Sequence, residues 1–163
     1  MTRRRTATLV HAAGLRFETT TGSGRTLVFG DHADANEHSP VETVAAALAA
    51  CSAMDVVSIL EKKRQTWDGY RIEVTAEQRD DYPQVYTRID VLHIVDGESV
   101  TEVAVRRAVE LSASKYCPVN AMVSAGATEV HHAYRIVRPD GSEAAADQEV
   151  IVTGPERQPD PIG

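Results

Sequence analysis

SPVETVAAALAACSAMDVVSILEKK, residues 39–63, is the stretch on which the fold of this chain turns. Between Val44 and Leu60 almost every residue is small or apolar, and only Ser52, Asp55 and Ser58 interrupt the run. At about 3.6 residues per turn, Cys51, Asp55 and Ser58 stand at i, i+4 and i+7, on one narrow stripe of a helix that is otherwise apolar all round. Such a helix needs cover on nearly every side, so the pattern predicts a core helix with a thiol at mid-length beside its few polar groups. Its start is well specified. Ser39 is a good N-cap, Pro40 suits the first turn, and Glu42 follows the serine by three as in a capping box. Lys62, Lys63 and Arg64 suit the negative end of the helix dipole.

Outward from this helix, the chain alternates strand and helix signals. Thr6–His11, Leu15–Thr20 and Arg25–Phe29 read as three short strands about Ala13-Gly14 and Gly22-Ser23-Gly24, a small meander. The loop Asp31–His38 carries two histidines among carboxylates, but without metal-ligand spacing, and reads as solvated surface. Beyond the helix, Tyr70–Glu77 alternates apolar and polar residues, and Val85–Val95 follows the Asp81-Tyr82-Pro83 turn, so the two suit an antiparallel hairpin. Ser99 with Glu102 repeats the capping-box signal before a helix running to about Ser114. Cys117 precedes Pro118, which puts this thiol at the N-cap of a further short helix ending near Gly126. Thr128–Arg138 is a last strand. The order is α+β, in a single domain over 1–138, and the Pro-, Ala- and acid-rich residues 139–163 are expected to be disordered.

The chain has 163 residues, an ordinary globular composition and a formal charge of -7. That charge argues against general binding to nucleic acid or anionic membranes, which draws on basic surface. Arg3, Arg4 and Arg5 are followed by an alternating stretch rather than an apolar core, so no export signal is read. The apolar helix, short and carrying Asp55, does not read as a membrane span. A cytoplasmic location is the expectation. Two cysteines do not make a secreted disulfide scaffold, and both thiols are expected to be reduced at rest. An all-apolar helix in so small a chain also lacks cover, which predicts a homodimer.

The two thiols differ in kind. Cys51 on an apolar helix fits a small hydrophobe as well as it fits a reagent. Cys117 faces exposed amides at a helix start, which stabilise a thiolate. They are 66 residues apart, and that spacing carries no metal-binding or CxxC signature. If they meet in space, one thiolate can open a peroxide bond to give a sulfenic acid, and the second can condense with it to a disulfide. An attacking thiolate needs a cation, and Arg16, after the Ala13-Gly14 turn, is the candidate.

The helix start followed by AALAACSAMDVV, with ASKYCPV much later and a final strand, resembles the OsmC/Ohr family of osmotically inducible and organic hydroperoxide resistance proteins. The resemblance spans roughly residues 6–138. It implies an intertwined dimer with antiparallel sheets around long buried central helices. It further implies a thiol-dependent peroxidase for organic hydroperoxides, with Cys51 peroxidatic and Cys117 resolving. No cofactor or metal is implied, and electrons come from a dihydrolipoyl protein or another thiol. Arg16 matches the family's early arginine. The family's glutamate ten residues before the first cysteine is Val41 here, and Glu42 is the neighbouring carboxylate. Asp55, one turn from Cys51, would raise a thiol pKa unless a cation offset it. CSAMDVVSILEKKRQ is nearer an OsmC branch of less defined activity, so the alternative is a small-molecule binding or redox-sensing dimer without peroxidase power.

Overall fold

The computed structural model describes residues 3–31 and 34–155. Where the sequence pattern suggests one body ending at 138, the chain divides into two compact units, 1–44 and 45–163. The first contains the expected meander: β1 (Ala7–Ala13), β2 (Arg16–Thr21) and β3 (Thr26–Phe29), all antiparallel. Gly14 turns between β1 and β2 at φ 53, a left-handed conformation that costs glycine least. This sheet has almost no interior. Every residue of β1 is exposed, and Thr19 is the one fully buried residue among those described in the unit.

The helix α1 occupies Pro40–Lys62 and begins as its sequence specifies. The Glu42 amide donates to Ser39 Oγ at 3.4 Å, and the Thr43 amide and hydroxyl donate to the Ser39 carbonyl. It ends on Arg64 in a left-handed conformation at φ 54, with the Gln65 amide closing back on the Leu60 carbonyl at 3.0 Å. Its burial departs from expectation. Leu48, Ser52, Val56 and Leu60, each four apart, form one buried stripe, while Val41, Val44 and Met54 stand exposed. Cys51 is half-buried rather than in the core. At 23 residues the helix is long and apolar enough, by length and composition, to cross a membrane, so shortness does not exclude that role. Its buried serine and its aspartate instead bond to Cys117 and Ser112 of the same unit.

The second unit is built on a four-stranded sheet in the order β4 (Gly69–Gln78), β5 (Tyr86–Asp96), β6 (Glu129–Val137) and β7 (Glu143–Thr153). The β4–β5 pair is the expected antiparallel hairpin. β5 and β6 run parallel, because α2 (Glu102–Leu111), a π-helical segment (Ser112–Tyr116) and α3 (Pro118–Ser124) carry the chain between them. Val130, His132, Tyr134 and Ile136 alternate inward along β6, and with β5, α1 and α2 they close the core. Two expectations are corrected here. Glu102 does not complete a capping box: Thr101 stands at the N-cap position of α2 without a side-chain capping bond, its amide and hydroxyl both donating to Gln65 Oε1 at 2.9 Å, and Glu102 instead accepts the Tyr134 hydroxyl at 2.7 Å. Nor is the whole stretch from 139 a disordered tail. Its acids are partners for outward polar side chains of β6: Asp147 takes Arg135 at 2.6 Å and Glu149 meets His131 at 3.0 Å, while Ala145, Val152 and Thr153 are buried. Residues 156–163 of that expected tail lie outside the described residues, as does His32 of the loop once weighed for metal.

Candidate active site around Cys51 and Cys117

The expected N-cap is present. Pro118 opens α3, and Cys117 Sγ accepts the Asn120 amide at 3.3 Å, as a serine oxygen would at that position. α1 packs beside it, and the Ser52 hydroxyl donates to the same sulfur at 3.7 Å. Cys51, one residue before Ser52, turns its own sulfur toward Cys117, and Asp55 follows one helical turn later. The two sulfurs and an Asp55 carboxylate oxygen all lie within 4.8 Å of one another. The structure thus brings together Cys51, Cys117 and Asp55, three groups from two distant parts of the chain.

The surroundings of Cys51 favour its thiol over its thiolate. Burial pushes Cys51 up to about 11, helped by its hydrogen bond to Cys117 and by repulsion from Cys117 and Asp55, against a lowering bond from the Val119 amide. At pH 7 Cys51 is therefore held in the protonated form. Asp55 is also raised, by burial, although the Ser112 hydroxyl donates to its Oδ2 at 3.1 Å and works the other way. Beside the cluster, Asp55, Ser58, Ile59, Lys62 and Tyr116 line an open groove of about 340 Å³.

Arg16 lies in the first unit. Its Nη1 is 3.1 Å from Glu37 Oε1 and 3.9 Å from Asp34 Oδ2. The carboxylate gripping the arginine is therefore Glu37, which sequence reasoning missed in favour of Glu42. Glu37 is almost fully buried, and a Cβ at Gly30 would run into its carboxylate, so glycine there makes its room. Sequence separation hid the pair, because the two residues are 21 apart, Arg16 in β2 and Glu37 in the loop that follows β3. Glu42 is at the first turn of α1, where its amide serves the cap.

A polar network under Cys117 was also missed. Asn120 donates its side-chain amide to Ala113 O at 2.9 Å and Thr153 Oγ1 at 3.1 Å, so its Oδ1 accepts, and His132 Nε2, 3.0 Å away, carries the proton. The His132 ring stacks on that of His93 at 5.9 Å, and His93 Nδ1 meets the Tyr70 hydroxyl at 2.6 Å. Burial holds both histidines neutral, pushing His93 down to about 3 and His132 to about 4. The signal was present in the strand alternation, since both occupy inward positions of β5 and β6.

Comparison with known proteins agrees with this architecture. A family model described as OsmC-like protein matches residues 32–133. Protein YhfA of Escherichia coli K12 is 39% identical over 124 residues, which cover 76% of this chain and 92% of YhfA. A hypothetical protein from Aquifex aeolicus superposes with a TM-score of 0.76 at 27% identity, covering 84% of this chain and 98% of that one. An organic hydroperoxide resistance protein from Elizabethkingia anophelis shares the fold at a TM-score of 0.62 and 14% identity, covering 82% and 96%.

Proposed function

This chain belongs to the OsmC-like protein family, and we propose that it is a cytoplasmic, homodimeric thiol peroxidase acting on organic hydroperoxides. The observation that carries the proposal is the approach of the Cys51 and Cys117 sulfurs to within 4.8 Å from elements far apart in sequence. In the first step the Cys51 thiolate attacks the distal oxygen of ROOH. The O–O bond breaks, Cys51 becomes a sulfenic acid, and the alkoxide takes a proton and leaves as ROH. The Cys117 thiol then attacks that sulfur, forming the disulfide and releasing water. An external dithiol, such as a dihydrolipoyl protein, takes up the oxidising equivalents and restores both thiols. The chemistry needs no resident cofactor.

Ionising Cys51 requires a positive charge, and Arg16, held by Glu37, is assigned that part. The uncovered faces of α1 and of the N-terminal sheet favour a second copy of the chain as their cover. A monomer at micromolar concentration in sedimentation experiments would overturn the dimer.

The test of activity is stopped-flow oxidation by an aliphatic hydroperoxide and by hydrogen peroxide, with mass analysis of the product. Fast oxidation by the organic peroxide with a Cys51–Cys117 bond is expected. Thiols left intact by both peroxides would overturn the assignment. The second reading, a ligand-binding or redox-sensing dimer, is favoured by one observation: burial first, then the hydrogen bond to Cys117, and least Asp55, hold Cys51 in the protonated form.

A further inference from the structure

Cys51, Asp55 and Cys117 present two sulfurs and a carboxylate oxygen on one small volume, with all three donor atoms within 4.8 Å of one another. A tetrahedral zinc ion with bonds of about 2.3 Å to sulfur and 2.0–2.2 Å to oxygen holds such donors about 3.5–3.8 Å apart. Closing this set onto an ion therefore takes a shift of about 1 Å at most. The surroundings are those of a ligand shell. The Ser112 hydroxyl donates to Asp55 Oδ2 at 3.1 Å, leaving the other carboxylate oxygen for the ion. The Asn120 amide and the Ser52 hydroxyl both donate to Cys117 Sγ, and such bonds orient and stabilise a metal-bound thiolate. Asp55 also lines an open groove with Ser58, Lys62, Lys63 and Tyr116.

We propose that the reduced protein binds a thiophilic divalent cation, zinc in the first instance, through Cys51, Asp55 and Cys117. On binding, the two S–H protons leave to solvent and two sulfur–metal bonds form, with no change of oxidation state. Asp55, which obstructs a peroxidatic cysteine by its charge, is the natural third ligand of this site. Thiolate donors select zinc over the hard cations magnesium and calcium. The proposal uses the same thiols as the peroxidase reading but does not depend on it, because metal is measured with no peroxide present.

The experiment uses the reduced, full-length protein. Zinc affinity is measured by competition with a chromophoric chelator, and cobalt(II) is substituted to look for thiolate-to-metal charge-transfer absorption. One metal per chain with that absorption is expected. Cys51→Ser and Cys117→Ser should abolish the absorption, and Asp55→Asn, which keeps the shape and both sulfurs, should weaken zinc at least tenfold. Ser112→Ala, removing only the orienting hydrogen bond, should weaken it about tenfold. Absence of the charge-transfer band, or unchanged affinity in Asp55→Asn, would overturn the site. Because Asp55→Asn is isosteric, the test survives if a cysteine variant fails to fold. Loss of metal binding with rapid peroxide oxidation intact would leave the peroxidase reading standing alone, and the reverse result would leave only the metal site.

Discussion

The two sheets of this molecule are written in similar language and end differently. β1–β3 and β4–β6 both alternate apolar and polar residues, yet β6 buries Val130, His132, Tyr134 and Ile136 while β1 buries nothing. The difference is cover. The larger sheet has α1 and α2 against it, whereas Leu9, Val10 and Leu15 of the smaller one remain more than half exposed. Strand alternation thus specifies a face but not what lies on it. The same contrast divides the chemistry, for the second unit holds the thiols and the first holds the proposed charge, Arg16 with Glu37.

If the thiol cluster carries the chemistry, the largest effect comes from Cys51→Ser, which should abolish hydroperoxide consumption. Turnover by that variant would end the assignment. Arg16→Ala should slow Cys51 oxidation, and an unchanged second-order rate would remove the first unit from the chemistry. The contrast in burial predicts the next effect. Ile136→Ala empties part of the core and should cost about 2–5 kcal/mol in urea unfolding. Leu9→Ala, at low concentration where a dimer dissociates, should stay within about 0.5 kcal/mol. Comparable losses at both positions would mean that the small sheet is as well covered as the large one.

The buried histidines sharpen the comparison through pH. Folded pKa values of about 3 and 4 lie below the ordinary 6.5, so the unfolded chain binds more protons between them. Stability conferred by keeping both neutral is therefore complete above pH 6.5 and is lost as pH falls toward 4. Each histidine contributes a slope of about 1.4 kcal/mol per pH unit. Thermal melts should show that decline, and His132→Gln should make it shallower. A flat profile from pH 7 to 4.5 would place these rings in water. A smaller loss than at Ile136 is expected at the start of α1, where Ser39→Ala should cost about 1 kcal/mol by removing the acceptor of the Glu42 amide.

Much of this was legible before the structure. Ser39, Pro40 and the apolar run define α1, and Cys117-Pro118 defines the start of α3, because caps are local chemistry between residues a few positions apart. What failed to read was non-local. β7 looked like an acidic tail because Asp147 and Glu149 make sense only beside Arg135 and His131. Glu37 was passed over for Glu42 because the partner of Arg16 comes from the loop after β3, and the two meet through the fold rather than along the chain. Asp55 read as an obstacle to one thiol, and its place in a three-donor cluster emerges only when Cys117 arrives from another helix.

Cys117 is at once the first hydrogen-bond acceptor of α3 and one of two sulfurs poised to join. A bond from its sulfur to Cys51 or to an ion replaces the thiol proton and redistributes the charge on that sulfur, and so changes what holds the Asn120 amide. Solvent exchange at that single amide is therefore a built-in gauge of the thiol state, readable at a position where no bond is made or broken.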